Sequence, residues 1–239
     1  NESMFVGELS LDGKIRKVKG ILPIVIGAKK QGIKRIFIPI ENIVESSFID
    51  DIEIVPVSSL NECIGFLNNN LMINTKEILS TRKSNTFEVN SKYYDEDFED
   101  VKGNYFVKRS VEIAAAGNHN ILMIGPPGSG KTMIAKRIRT ILPDIEKDEM
   151  IEVSKIYSAS GLINDSEGII YKRPFRSPHH TSTRQALIGG GANATPGEVV
   201  LSHRGVLFLD EIAEFDRRIL ETLRQPIEDK YINISRVKQ

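Results

Sequence analysis

Gly125, Pro126, Pro127, Gly128, Ser129, Gly130, Lys131 and Thr132 fit the pattern G-x-x-x-x-G-K-[ST]. Glycines at these places let the backbone curl until successive N–H groups face a single anion. Lys131 then supplies a point charge near the β- and γ-phosphates of a nucleotide, and the Thr132 hydroxyl suits a Mg²⁺ ligand. Met133 follows directly and belongs to the same nucleotide-contacting stretch. The motif needs a strand before it and a helix after it. The apolar run Ile121, Leu122, Met123, Ile124 predicts the strand, and the pattern over 133–142 predicts the helix.

A second group carries the chemistry that a phosphate cradle lacks. Gly205, Val206, Leu207, Phe208 and Leu209 form a short apolar run that predicts a buried parallel strand, ending in Asp210 and Glu211. Ligands bind at the carboxyl ends of strands in open α/β sheets. Asp210 is therefore expected in the Mg²⁺ shell beside Thr132, and Glu211 is expected to polarise an attacking water. With Lys131, Glu211 completes the catalytic pair, and ATP and Mg²⁺ are the expected cofactors.

The elements that must position these groups come from an α/β chain. Its 239 residues suffice for one or two domains. Thirty-two basic and 32 acidic side chains cancel, so no overall field marks a nucleic-acid or membrane partner. DNA stays compatible, because a ring can confine its basic residues to a pore. Cys63 is the only cysteine, which excludes an intrachain disulfide and fits a reducing compartment. Its apolar neighbours predict a buried thiol. No apolar run reaches the ~18–20 residues of a membrane span. The chain opens Asn1, Glu2, Ser3 without an initiating Met and reads as an internal fragment.

Residues 5–18 predict a hairpin around Asp12 and Gly13, followed by a helix over 21–30 that stops at Gly32. Strands are predicted over 33–38 and 52–57, and a helix through Leu60, Ile64 and Leu67 with Ser58 or Ser59 as its cap. Residues 71–96 have linker composition, with at most one helical turn around Glu77 to Leu79. The second domain opens at Asp97. Its first helix, over 105–116, is expected to present Val107, Val111, Ile113 and Ala114 to a core, with Gly117 and Asn118 ending it. Another helix is predicted over 146–160.

Arg173, Pro174, Phe175, Arg176, Ser177, Pro178, His179, His180 and Thr181 form an unusual stretch. Adjacent histidines lack helical metal spacing, and no cysteine or nearby carboxylate completes a ligand set. They read as structural or subunit-contact residues. Residues 186–197 hold three glycines and a proline and predict a mobile loop without regular structure. A short helix over 198–203 leads into the strand that carries Asp210. Asp216 caps a helix running to Glu228 on Ile219, Leu220, Leu223 and Ile227, and Tyr231, Ile232 and Ile234 begin a further strand.

The first 70 residues resemble the C-terminal part of the Lon-protease-like fold. The resemblance rests on residues 7–13, on Gly32-Ile33-Lys34 and on Ile38-Pro39-Ile40-Glu41-Asn42. It implies a Ser–Lys peptidase, but Leu22 stands where the lysine belongs, and leucine cannot serve as a base. A domain without peptidase activity is expected, serving assembly or docking. The division is then 1–70 Lon-like, 71–96 linker, and 97–239 the N-terminal part of a P-loop AAA+ core.

Residues 125–132, 174–181, 188–191 and 205–211 together resemble the ComM/YifB family, Mg-chelatase-like AAA+ ATPases with a Lon-like N-terminal domain. The resemblance implies a cytoplasmic bacterial ATPase that assembles, when full length, as a hexameric ring. It implies action on single-stranded or branched DNA as a branch-migration helicase in natural transformation, with no membrane partner. Two rivals differ in class: the ATPase subunit of magnesium chelatase, and an enhancer-dependent transcription activator. The ring's DNA contacts are expected at the loop 189–196, through Asn193, Thr195 and the amides of Gly189 to Gly191, flanked by Arg184 and Arg204. An ordinary flexible surface loop is the equal alternative.

Overall fold

The computed structural model describes residues 2–82, 94–191, 194–229 and 231–233. The chain is α/β, and it forms two compact units that each use two stretches of sequence. The first is Asn1–Ser91 with Met150–Tyr171, and the second is Lys92–Glu149 with Lys172–Gln239.

In the first unit, β1 (Ser3–Phe5), β4 (Arg35–Pro39) and β5 (Glu53–Val57) make a parallel sheet in the order β1-β4-β5. Met4 pairs with Ile36, and Phe37 with Val55. Pro56 has no N–H to give a further neighbour, and β5 is an edge strand. The expected hairpin is present as β2 (Glu8–Leu9) against β3 (Ile15–Arg16). At its turn the Asp12 carboxyl takes bonds from the Ser10 hydroxyl and the Lys14 amide, which lower it to about 2. Phe5, expected in that hairpin, instead ends β1, where its ring stacks on Phe37 at 4.7 Å.

The helix Ile21–Lys30 matches its expected span, and Ile21, Val25 and Ala28 recur at helical spacing to fill the core with Ile36, Ile38, Ile43 and Val44. Each of the buried Ile and Val side chains contributes about 1.5–3 kcal/mol. Gly32 follows at φ +76, a left-handed stop that glycine adopts without strain. Ser59 caps the helix Leu60–Leu67 by accepting from the Glu62 amide. Cys63 is buried with Phe37, Val55 and Val57. The stretch of linker composition holds more order than its polarity suggests: Thr75–Arg82 is a helix whose Ile78 and Leu79 pack on this core. Two aliphatic residues one position apart suffice to dock it, a signal too short to stand out in the sequence.

Met150–Tyr171 builds into the same unit. The helix Lys147–Ser160 buries Val153, Ser154 and Ser158. The Ser158 carbonyl accepts from the Gly20 amide at 2.9 Å and its hydroxyl from the Leu22 amide at 3.3 Å. Lys17 pairs with Asp165. A Cβ on Gly168 would lie 2.7 Å from the Val44 carbonyl carbon, so this backbone approach requires glycine. The sequence division runs 97–239 as one block. The core of the first unit nonetheless draws on this internal stretch.

In the second unit Phe98, Val101, Val111 and Ile134 form the core, with Met123, Ile138 and Ile141 against it. The helix Tyr105–Gly117 buries Val111 and Ala115, whereas Ile113, expected inward, is 53% exposed. β6 (Phe175–Arg176) and β9 (Val206–Leu207) pair in parallel, Phe175 opposite Val206. The run 121–124 makes no sheet ladder among the described residues, and Leu122 and Ile124 are exposed. A strand needs a lateral partner, and among the described residues the only ladder β9 makes is with β6. At Tyr231, Ile232 and Asn233 no ladder forms either, and Ile234 lies outside the described residues.

Candidate nucleotide site

Residues 125–130 wrap into a turn in which Gly128 and Gly130 take φ +77 and +86, values that cost an L side chain about 1–2 kcal/mol. From there the helix Lys131–Arg137 runs on, burying Ile134 and Ala135. The Lys131 ammonium is folded back on the loop, donating to the carbonyls of Gly125 at 2.9 Å and Pro126 at 3.1 Å. A cavity of about 1190 Å³ opens beside it, walled by the loop, by 121–124, by Ala114 to Asn120 at the end of the preceding helix, and by 205–213.

The two sequence groups meet in this cavity. Thr132 Oγ1 donates to Asp210 Oδ2 at 2.9 Å, across 78 residues of chain. The other oxygen of Asp210 accepts from the Glu211 amide at 3.0 Å. Glu211 itself sits at φ 51, ψ 48, a left-handed conformation uncommon for a side chain of its size. A hydroxyl and a carboxylate held together are hard oxygen donors, the set that Mg²⁺ takes, and the glycine-lined turn leaves room for phosphate at the lysine. The residues present therefore fit Mg²⁺ and a nucleotide.

The scaffold behind the cavity is polar. Arg173 donates to the carbonyls of Pro143 at 2.6 Å, Arg204 at 2.8 Å and Asp144 at 3.2 Å, and to Glu149 at 2.9 Å. Arg204 reaches the other Glu149 oxygen at 3.3 Å. Burial raises the Glu149 carboxyl, but the Glu146 amide and Arg173 outweigh it and hold the group below its ordinary value. One guanidinium thus ties the exit of the P-loop helix to the turn that starts β9.

Residues 97–239 match the family described as magnesium chelatase, subunit ChlI, and residues 1–42 match subunit ChlI of Mg-chelatase. The chain belongs to the magnesium chelatase ChlI family. It is 41% identical over 241 residues to YifB of Escherichia coli, which aligns with 100% of this chain. It is 39% identical over 234 residues to competence protein ComM of Haemophilus influenzae, covering 97% of this chain, and 40% identical over 235 residues to an uncharacterised protein of Mycobacterium tuberculosis, covering 98%. The ComM/YifB resemblance read from the motifs holds across both units. The chain spans 45% of each of these relatives. A solved structure of NtrX from Brucella abortus in complex with ATP aligns at 14% identity and TM-score 0.41, over 99% of this chain and 62% of its own.

Within this ChlI-family chain the expected loop at 186–197 proves partly regular. Residues Arg184–Ile188 form a helix, and β7 (Gly189–Gly190) pairs antiparallel with β8 (Thr195–Pro196). Glycine permits the positive φ of this ribbon, and Pro196 ends the outer strand, so both residue types fit a tight hairpin that composition alone reads as disorder. Asn193 lies outside the described residues.

The two histidines, expected as structural or subunit-contact residues, lie beside Glu211. The rings of His179 and His180 lie 4.0 Å apart, and His180 Nδ1 comes within 3.8 Å of Glu211 Oε2. Their adjacency gave no hint of this, because the signal is the β6–β9 pairing, which brings the residues after Arg176 beside those after Leu207.

Proposed function

We propose that this chain carries the nucleotide-binding part of an AAA+ motor that binds Mg·ATP and hydrolyses it. Supplied with ATP and Mg²⁺, the site would gain a transferable phosphoryl group and a divalent charge to neutralise it. The chain's own residues do the rest. The amide N–H groups of Gly128, Ser129 and Gly130 would hold the phosphate chain, with Gly125, Pro126 and Pro127 shaping the turn, Met133 alongside, and Lys131 adding its charge. Thr132 and Asp210 would hold the metal, and Glu211 would accept a proton from the attacking water.

The observation that carries this reading is the 2.9 Å bond between Thr132 and Asp210, predicted metal ligands from distant parts of the sequence. Its test is binding of a fluorescent ATP analogue with and without Mg²⁺, to the wild type and to Lys131→Ala. Equal affinity for both proteins would refute the site.

The substrate of the motor, in this reading, is DNA. The support is the name of a relative, competence protein ComM, together with full-chain similarity that embraces the N-terminal unit as well as the ATPase core. The whole protein would work as a hexameric ring in the bacterial cytoplasm, a branch-migration helicase in natural transformation, with a non-peptidase Lon-like domain before the ATPase core. Among the described residues no helix is long and apolar enough to cross a membrane. Stimulation of ATPase by single-stranded or branched DNA in the full-length protein tests this, and strand displacement tests the helicase step. A chelatase-type motor would instead respond to a porphyrin-bearing partner and ignore DNA.

A further inference from the structure

The first unit holds a smaller cavity of about 180 Å³, lined by residues of that unit alone and sharing none with the nucleotide cavity. Its walls are fixed by the chain around them. One wall is the stretch Lys17 to Lys19, clamped by the fully buried Asn42, which accepts from the Val18 amide and donates to the Val18 carbonyl, both at 3.0 Å. Another is Ser158, tied at its carbonyl to the Gly20 amide and at its hydroxyl to the Leu22 amide. Gly161 lies under the Lys19 stem at φ +70, and a Cβ there would stand 2.8 Å from Lys19 Cε. A cavity held in this way is formed before any ligand arrives.

Glu45 also lines it, and its chemistry asks for a partner. The residue is 6% exposed, and among the described residues Oε1 has no hydrogen-bond partner. A buried acceptor left unpaired costs about 1–3 kcal/mol, and more when it is charged. The Lys17 ammonium is engaged with Asp165 instead. A complementary ligand therefore brings an N–H donor, and a cationic one makes the stronger bond to a carboxylate. The two lysines, which are exposed, oppose a bare metal ion or amine and favour a carboxylate on the same molecule. Val18 and Ile163 add an aliphatic wall. At ~30 Å³ for each water displaced, the space suits a molecule the size of about six waters and excludes a nucleotide or a longer peptide. We propose that this cavity binds a free amino acid with a short aliphatic side chain, its ammonium on Glu45 and its carboxylate toward Lys19.

The test is calorimetric titration of the full-length protein, without nucleotide, using alanine as the probe. Acetate and ethylammonium, each carrying one of its two charges, are titrated in parallel. Alanine should bind saturably, and each half-ligand about tenfold more weakly or worse. Glu45→Gln keeps the shape and removes the charge, and it should weaken alanine by about tenfold or more. Lys19→Met keeps the apolar stem and should weaken alanine without weakening ethylammonium. Both variants should bind a fluorescent ATP analogue as the wild type does. Absence of saturable alanine binding, equal affinity in Glu45→Gln, or ethylammonium as tight as alanine would each overturn the proposal. So would a rim lysine that folds onto Glu45 in solution: Lys17→Met or Lys19→Met would then lower the thermal midpoint of the wild type but not of Glu45→Gln, and alanine would not bind. If Glu45→Gln perturbs folding, the exposed Lys19→Met and the two half-ligands decide.

Discussion

Arg176 grips Glu198 with two parallel bonds, Nε to Oε2 at 2.5 Å and a terminal nitrogen to Oε1 at 2.6 Å. The pair joins β6 to the short helix Glu198–Leu201, which precedes β9. Both side chains are mostly buried, so solvent screens the fork less than it screens a surface pair. Arg176→Lys keeps the charge and loses the fork. It is expected to cost about 1–2 kcal/mol in chemical denaturation, with the loss much reduced in a Glu198→Gln background. Equal losses in both backgrounds would show that the two residues do not act together.

Glu211→Gln should leave Mg·ATP binding intact and remove hydrolysis in the full-length protein, since the amide preserves shape but accepts no proton. Lys131→Ala should weaken binding itself. Steady-state turnover and analogue titration separate the two. A Gln variant that turns over at the wild-type rate would disprove the role of Glu211.

Gly130→Ala tests the conformation of the loop rather than its charge. With φ at +86, the added methyl should destabilise by about 1 kcal/mol or more and lower nucleotide affinity. Gly27→Ala is the control, since a Cβ there meets no atom within 4 Å and glycine is a poor residue inside a helix. The control should be neutral or slightly stabilising by thermal unfolding.

Glu45 is buried in the first unit, and one carboxylate oxygen has no hydrogen-bond partner. Burial raises this carboxyl above its ordinary 4.5, against the opposing pull of Ser158, the Leu22 amide and Lys17. A raised folded-state value means that the folded chain binds the proton more tightly than the unfolded one. Stability therefore falls as pH rises from about 4.5 through the folded value, and the deficit is complete above it. Glu45→Gln should raise the thermal midpoint at pH 8, by about 1 kcal/mol of stability, and gain little at pH 4. A gain equal at both pH values would refute burial as the cause.

Leu22 is buried and carries no group that could act as a base. No cleavage of unfolded protein substrate is expected from the full-length protein, with or without ATP. ATP-dependent peptide release would reverse that expectation.

Much of the site was legible in the sequence because its parts are local. A glycine turn, a lysine and a threonine in eight residues need only their own backbone to assemble, and Asp210 comes three residues after its strand. What escaped was set by lateral pairing. Nothing in the sequence around His180 names Glu211, since that meeting depends on β6 lying beside β9. Arg173 likewise looks like any surface arginine until the carbonyls of Pro143, Asp144 and Arg204 converge on it. The helices Ile21–Lys30 and Leu60–Leu67 followed their periodicity, as the stop at Gly32 and the cap at Ser59 did. The hairpin at Gly189 defeated composition, because glycine serves both loose loops and tight ribbons. The run 121–124 defeated periodicity, because apolar side chains make a strand only when a neighbour offers its backbone.

Because Met150–Tyr171 completes the N-terminal unit, the polypeptide crosses between the two bodies more than once. On a ribosome this sets an order of events. The Gly20 and Leu22 amides cannot meet Ser158 until the P-loop has already left the exit tunnel. The first unit must wait, partly open, with Val44 uncovered where Gly168 will later lie. Domains that are contiguous in sequence can finish folding one after another during synthesis. Here the first body can close only after Lys92–Glu149 of the second has been made, and a stall between residues 96 and 150 would strand an N-terminal half that lacks one of its own walls.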